Sequence, residues 1–116
     1  LQRSDPLRLG AQPGARVHRH PGPLWQKGQL ADKVVTATTS AQNVHGGQEA
    51  TILGLYTTFM HWGAIIVAPG YTDEKLYASG GNPYGFSMEP GEPSDEGKAA
   101  IGIQAERLVR FARKLA

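Results

Sequence analysis

The chain has 116 residues and contains no cysteine, and no apolar run reaches the roughly 18 residues that a membrane-spanning helix needs. Without cysteine there is no disulfide framework, no thiolate chemistry and no cysteine-based metal site. Without a long apolar run we expect no membrane span, and residues 1–6 lack the apolar core of a signal peptide. A reducing cytoplasm suits such a chain, so a cytoplasmic location is expected. Because the sequence begins with Leu1 rather than Met, we also expect a piece of a larger protein or a processed product.

Positive charge is confined to the start of the chain. Residues 1–23 carry four of the 12 Lys and Arg residues but one of the 10 acidic residues, so the remainder is close to neutral. The chain has no basic face with interleaved aromatic residues, which single-strand binding proteins use. A nucleic-acid-associated protein is therefore suggested only by the Arg-rich start, and we predict no nucleic-acid partner.

Residues 1–21 show neither helical nor strand periodicity and are rich in Arg, Pro, Gly and His. This composition predicts an irregular or disordered arm. The same composition is typical of GC-rich DNA translated in the wrong reading frame, and regular sequence periodicity begins abruptly at Gly22. We therefore hypothesise that this segment is a frame-shift product. His18 and His20 resemble a metal pair, but no other ligand is placed near them in the sequence. Two solvated histidines are the better interpretation, and no metal site is predicted.

Residues 22–116 show regular periodicity. Residues 34–39 form a β-branched run that predicts a buried strand. From about 48 to 62, apolar residues recur at helical spacing, namely Ile52, Leu55, Tyr56, Phe59 and Met60. Gly63 is placed to end that helix. Residues 64–68 are apolar throughout, as expected of a strand covered on both faces.

The last part of the chain predicts a long loop followed by a helix. Residues 69–94 are rich in Gly and Pro, and a loop of that length is usually functional or part of an interface. Ser94 is placed to cap a final helix, whose apolar stripe is Ile103, Leu108, Phe111 and Leu115. The order β-α-β-α predicts parallel, adjacent strands with the first helix crossing over one face. Two strands do not make a self-sufficient α/β sheet, so the sheet is expected to be incomplete.

Several ordered blocks resemble one family. Gly46-Gly47-Gln48-Glu49, His61-Trp62-Gly63, Ala64-Ile65-Ile66-Val67 and the glycine-rich segment 80–85 follow one another at the separations found in the WrbA family. That family comprises flavodoxin-like, FMN-dependent NAD(P)H:quinone oxidoreductases that assemble as homo-tetramers. The resemblance covers about residues 22–116. It implies an α/β fold, namely the C-terminal half of a flavodoxin-like doubly wound parallel sheet.

The resemblance implies roles for individual residues. The loop after the family's fourth strand, which holds the isoalloxazine ring, matches Ser40, Ala41, Gln42, Asn43, Val44, His45 and Gly46. His61 matches a histidine near the flavin, and Trp25 an aromatic residue at the quinone cleft. Packing or capping is the alternative for His61, and core or interface for Trp25. No catalytic protein base is implied, because the flavin supplies the redox chemistry with NAD(P)H as the electron donor.

One family element has no counterpart here. The FMN phosphate is held by the loop after the family's first strand, and nothing in the chain resembles that loop or the first three strands. We therefore expect two-electron quinone reduction in the parent protein and weak FMN binding by this chain. The alternative is a non-catalytic truncated fragment or oligomerisation module. Residues 80–85 are expected at a subunit contact or over the flavin cleft.

Overall fold

The computed structural model of the chain describes residues 21–116. The arm predicted over residues 1–21, with the frame-shift hypothesis, lies outside the described residues apart from Pro21. The described residues belong to two units: residues 21–31 to the first and residues 32–116 to the second. In the first unit, helix α1 spans Gly22–Gln26 and carries a proline in its first turn, where the missing N–H costs no helical hydrogen bond.

The second unit is a mixed α/β fold with short strands. Its elements are β1 (Val34–Val35), β2 (Thr39–Ser40), α2 (Gln48–His61), β3 (Ile65–Ile66), α3 (Lys75–Ala78), β4 (Ser87–Met88) and α4 (Asp95–Leu115). No helix among the described residues is long and apolar enough to cross a membrane.

The strands form two parallel pairs. Val34 of β1 lies opposite Ile65 of β3, and Thr39 of β2 lies opposite Ser87 of β4. The expected parallel pairing of the first and second strand regions is therefore confirmed. Helix α2 is the crossover between β1 and β3, as the β-α-β order predicts.

Strands β3 and β4 use the same edge of the segment 33–41. The carbonyls of Lys33 and Val35 accept hydrogen bonds from the amides of β3 and its flank. The amides of Thr39 and Ala41 donate to the carbonyls of β4 and its flank. These positions are all odd-numbered, and alternate residues of an extended segment present their backbone groups to the same edge. On the other edge, no backbone hydrogen bond within residues 21–116 reaches Thr36 or Thr38.

The Gln104 side chain fills the gap between β3 and β4. Its Oε1 accepts a hydrogen bond from the Phe86 amide at 2.8 Å, and its Nε2 donates to the Ala37 carbonyl at 2.9 Å and the Thr36 hydroxyl at 2.8 Å. The residue is only 3 % exposed. A side-chain amide thus donates and accepts as a strand's peptide group would, and it attaches α4 to both strand pairs.

Helix α2 packs its inner face on the first strand pair. Ile52 and Tyr56 are buried with Ala37, at the helical spacing that the sequence predicts. Gly63 ends the helix as expected: its φ is +76°, and the Ala64 amide behind it donates to the Phe59 carbonyl at 3.0 Å. This left-handed ending is one that glycine adopts without steric cost.

Helix α4 packs against α3 and β1, and its buried side chains also contact Phe86 and Met88. Its predicted cap is confirmed, because the Ser94 hydroxyl accepts a hydrogen bond from the Gly97 amide at 3.0 Å. Ala100 is buried with Leu76 and Phe86, and Ile101 and Ile103 pack against that cluster.

Three sequence-based expectations need correction. Residues 69–94 are not all loop, since they contain α3 and β4. The strand predicted over 34–39 divides into β1 and β2, because its partner leaves after β3 and a different segment pairs with its second half. Met60 and Leu115, assigned to apolar stripes, are exposed.

Candidate functional site

The loop between β2 and α2 is a compact turn built by Asn43 and glycine. The Asn43 Oδ1 accepts a hydrogen bond from the His45 amide at 2.9 Å, and its carbonyl accepts one from the Gly46 amide at 3.0 Å. A Cβ atom at Gly46 would lie 2.5 Å from the Ala41 Cβ. Glycine is therefore required at 46 for close approach, and Gly47 has a φ of +86° that admits few other residues.

Gln48, the first residue of α2, ties the loop to the helix. Its Nε2 donates to the Asn43 carbonyl at 2.8 Å, and the residue is only 6 % exposed. Because a carbonyl accepts and does not donate, this bond fixes which end of the amide faces Asn43. No hydrogen bond within the described residues reaches Gln48 Oε1, so a buried acceptor is left without a protein partner.

The N-terminus of α2 offers further unpaired groups. The first helical bond runs from the Thr51 amide to the Gly47 carbonyl at 2.9 Å, and no side chain caps the helix. Among the described residues, the amides of Gln48, Glu49 and Ala50 have no acceptor. Such amides are typical donors to electron-rich ligand edges.

A cavity of about 890 Å³ lies beside this helix start. One wall is formed by residues 44–45 and 47–50, and the facing wall by residues of the segments 76–82 and 86–100. Ser87 and Met88 of β4 lie in the lining, so the cavity borders the carboxyl end of a parallel strand, where α/β sheets bind ligands. Its apolar part is contributed by Val44, Leu76, Phe86, Met88, Ala100 and two prolines, Pro90 and Pro93.

The charged groups in the cavity lining all have the same sign. Three carboxylates line the cavity, those of Glu49, Glu89 and Glu92. His45 also lines it, and no Lys or Arg does so among the residues that the structure describes. A helix N-terminus contributes only about half a positive charge. The residues that line the cavity therefore carry a net negative charge.

The sequence-predicted site residues are only partly brought together. Val44 and His45 line the cavity, and Ser40, Ala41, Gln42, Asn43 and Gly46 belong to the same turn without lining it. His61 is the last residue of α2, whereas the loop precedes its first. The helix has 14 residues, so the two lie about 20 Å apart at 1.5 Å per residue. Trp25 lies in α1, in the other unit, with an exposed side chain.

Sequence reasoning missed two parts of this site. Gln48 was recognised only as part of a motif, although a glutamine directly after a Gly-Gly turn and before an apolar helix is placed to fold back on that turn. The facing wall at residues 86–94 is predicted as loop, because two Pro and one Gly stand among its last five residues. No local pattern indicates that β4 pairs with β2, a contact 48 residues away in sequence between Thr39 and Ser87.

No family model matches the chain. Curated relatives do: a protein of Deinococcus radiodurans named "NAD(P)H dehydrogenase (quinone)" is 53% identical over 96 residues, which is 81% of this chain and 48% of the relative. Proteins of the same name from Sinorhizobium fredii and Geotalea daltonii are 40% and 37% identical, over 82% and 81% of this chain and 52% and 50% of their own lengths. The chain spans about half the length of the curated relatives it matches. These relatives confirm the family resemblance that the motifs indicate.

Proposed function

We propose that this chain is the C-terminal part of an FMN-dependent NAD(P)H:quinone oxidoreductase of the WrbA type. The main support is the cavity at the start of α2. It lies at the end of a parallel strand, and it combines a glycine-containing turn, unpaired helix amides and an apolar wall. The name shared by the relatives supports NAD(P)H as electron donor and a quinone as acceptor. A cytoplasmic location remains a prediction.

The residues present fit the ring of a flavin. Val44, Phe86 and Met88 offer apolar surface for an isoalloxazine. The unpaired amides of α2 would face its electron-rich edge, and Gln48 Oε1 would accept from a ring N–H. When bound, the flavin would supply the redox chemistry, and this chain's residues would orient it and exclude water.

The same residues do not fit the phosphate of FMN. A phosphate needs a nest of amides or an Arg or Lys partner, and the described lining holds three carboxylates instead. We therefore assign the phosphate to the half of the protein that this chain does not contain. The unpaired backbone edge at Thr36 and Thr38 favours the same division, since a further parallel strand would satisfy it.

A second copy of the chain would reconcile His61 with the flavin. The outer face of α2 is exposed and has no Lys or Arg; it presents Ala50, Leu53, Gly54, Thr57 and Met60, with the single carboxylate Glu49 at its start. Leu53 is 45% and Met60 65% exposed. Two such faces packed antiparallel would place each His61 near the start of the other copy's α2. The oligomeric assembly is in this proposal a homo-tetramer, with residues 80–85 at a contact or over the cleft and Trp25 at the quinone.

Complementation by the missing half tests the proposal. The chain is co-expressed with the N-terminal half of the Deinococcus radiodurans relative, and flavin content and NADH-dependent benzoquinone reduction are measured. We expect near-stoichiometric FMN and turnover from the pair, and little of either from the chain alone. A colourless, inactive pair, with the intact relative active as control, would instead support a non-catalytic fragment.

A further inference from the structure

The charge of the cavity lining has a consequence for ligand selection. Glu49, Glu89 and Glu92 line the space with exposed side chains, and no Lys or Arg lines it among residues 21–116. A bound anion would be desolvated beside like charges with no cation to offset them. An uncharged ring meets no such penalty.

Gln48 adds a preference for hydrogen-bond donors. Its orientation is fixed by the bond from Nε2 to the Asn43 carbonyl, which leaves Oε1 as an acceptor without a partner among the described residues. A buried acceptor without a partner is costly, and a ligand N–H that reaches it removes this cost.

We propose that this cavity binds uncharged aromatic rings bearing an N–H donor and rejects their phosphorylated forms, so that the chain binds riboflavin more tightly than FMN. The inference rests on the proposed function, because it takes the cavity as the ring side of the flavin site. It goes further by stating which of the two flavins this half of the protein prefers.

Binding measurements on the purified chain test this inference. Riboflavin and FMN are titrated by flavin fluorescence at pH 8 in low salt. We expect riboflavin to bind about tenfold more tightly, because like charges near a protein surface repel appreciably. In 1 M salt the ratio should approach one, since the screening length falls to about 3 Å. Tighter FMN binding, or no riboflavin binding, would overturn the inference.

Two variants and one chemical probe locate the effect. The double variant Glu89→Gln, Glu92→Gln should narrow the ratio at least about threefold. Glu106→Gln removes a carboxylate outside the lining on α4 and should leave the ratio unchanged. Riboflavin methylated at its ring N–H should bind about tenfold more weakly than riboflavin, because it cannot donate to Gln48. Equal binding of the two compounds, or equal effects of both carboxylate changes, would contradict the inference.

These outcomes are separate from those that test the oxidoreductase. If the co-expressed halves reduce quinone but the chain prefers FMN, the charge argument fails and the proposed function stands. If riboflavin is preferred but the halves are inactive, the cavity is a ring-binding site and the oxidoreductase proposal fails.

Discussion

At the scale of single residues, Gly85 has the least room for a side chain among the glycines of residues 21–116. A Cβ atom there would lie 2.1 Å from the Ala37 carbonyl oxygen and 3.1 Å from Ile52 Cδ1. The first neighbour is backbone and does not rotate away. We expect Gly85→Ala to lower the free energy of unfolding by about 2–4 kcal/mol, as overpacked cores do, measured by urea denaturation.

Gly102→Ala is the matched control for that change. Gly102 lies inside α4 with nothing within 4 Å of an added Cβ. The substitution should therefore stabilise the chain by about 0.5–1 kcal/mol, which is the helix preference of alanine over glycine. Equal effects of the two substitutions would show that close packing at Gly85 is unimportant.

Tyr56 makes stability depend on pH in the alkaline range. Burial raises the pKa of the Tyr56 phenol above its ordinary value of 10.0, and its hydroxyl donates to the Tyr84 carbonyl. The folded state thus holds this proton more tightly than the unfolded state. The stabilisation is complete below about pH 10 and is lost as pH rises through the folded pKa.

We expect Tyr56→Phe to flatten the fall of the thermal midpoint between about pH 9 and pH 11. The exposed Tyr77 gives the control, since Tyr77→Phe should keep the steeper fall of the unchanged protein. If the Tyr56→Phe and unchanged curves run parallel over that range, Tyr56 is not the group responsible.

At the scale of secondary structure, features set by residues close together in the sequence could be predicted, whereas features set by distant residues could not. The 48–62 helix, its Gly63 ending and the Ser94 cap are specified by residues within one or two turns, and the structure has all three. The division of 34–39 into two strands is set by distant partners. A local sequence pattern does not indicate such distant partners, and for the same reason the sequence does not predict β4.

The candidate site shows the same division. The loop up to Gly46 could be identified because its glycines and Asn43 interact with near neighbours in sequence. The facing wall, with Glu89 and Glu92, could not, because only the pairing of β4 with β2 brings it there.

The Gln104 side chain joins α4 to the strands, so we expect its replacement to lower the free energy of unfolding strongly. Gln104→Leu leaves the Phe86 amide and the Ala37 carbonyl without the partners they have now. At about 1–3 kcal/mol for each unsatisfied buried group, we expect a loss of about 3–5 kcal/mol and faster hydrogen exchange at the Phe86 amide.

Gln42→Leu makes the same chemical change at an exposed position and should alter stability by less than about 0.5 kcal/mol. If the Phe86 amide exchanges at an unchanged rate in Gln104→Leu, the strand pairs are held by other contacts.

At the scale of the whole molecule, the outer face of α2 predicts self-association. Helix α2 contains one carboxylate, Glu49, and no Lys or Arg, so two copies would meet without strong like-charge repulsion. We expect Met60→Glu to shift the chain toward monomer, with at least about a tenfold weaker association, measured by light scattering after gel filtration.

Val109→Glu on α4 is the control, because it also places a carboxylate at an exposed apolar position. It should leave the association unchanged. If Met60→Glu associates as the unchanged protein does, the contact between copies lies elsewhere.

The Gln104 side chain also affects how well the segment between β3 and β4 tolerates insertions and deletions. Strands β3 and β4 each pair with the segment 33–41 through their own hydrogen bonds, and Gln104 spans the interval. Between β3 and β4 the chain forms a loop whose two ends meet, because the Gly70 amide donates to the Pro83 carbonyl at 2.8 Å. Changes in length between Gly70 and Pro83 are therefore separable from the pairing of the strands, provided that Leu76 of α3 stays in its buried cluster with Phe86 and Ala100. Natural selection can lengthen or reshape the exposed parts of this loop to suit new partners, provided that Leu76 and Gln104 are retained.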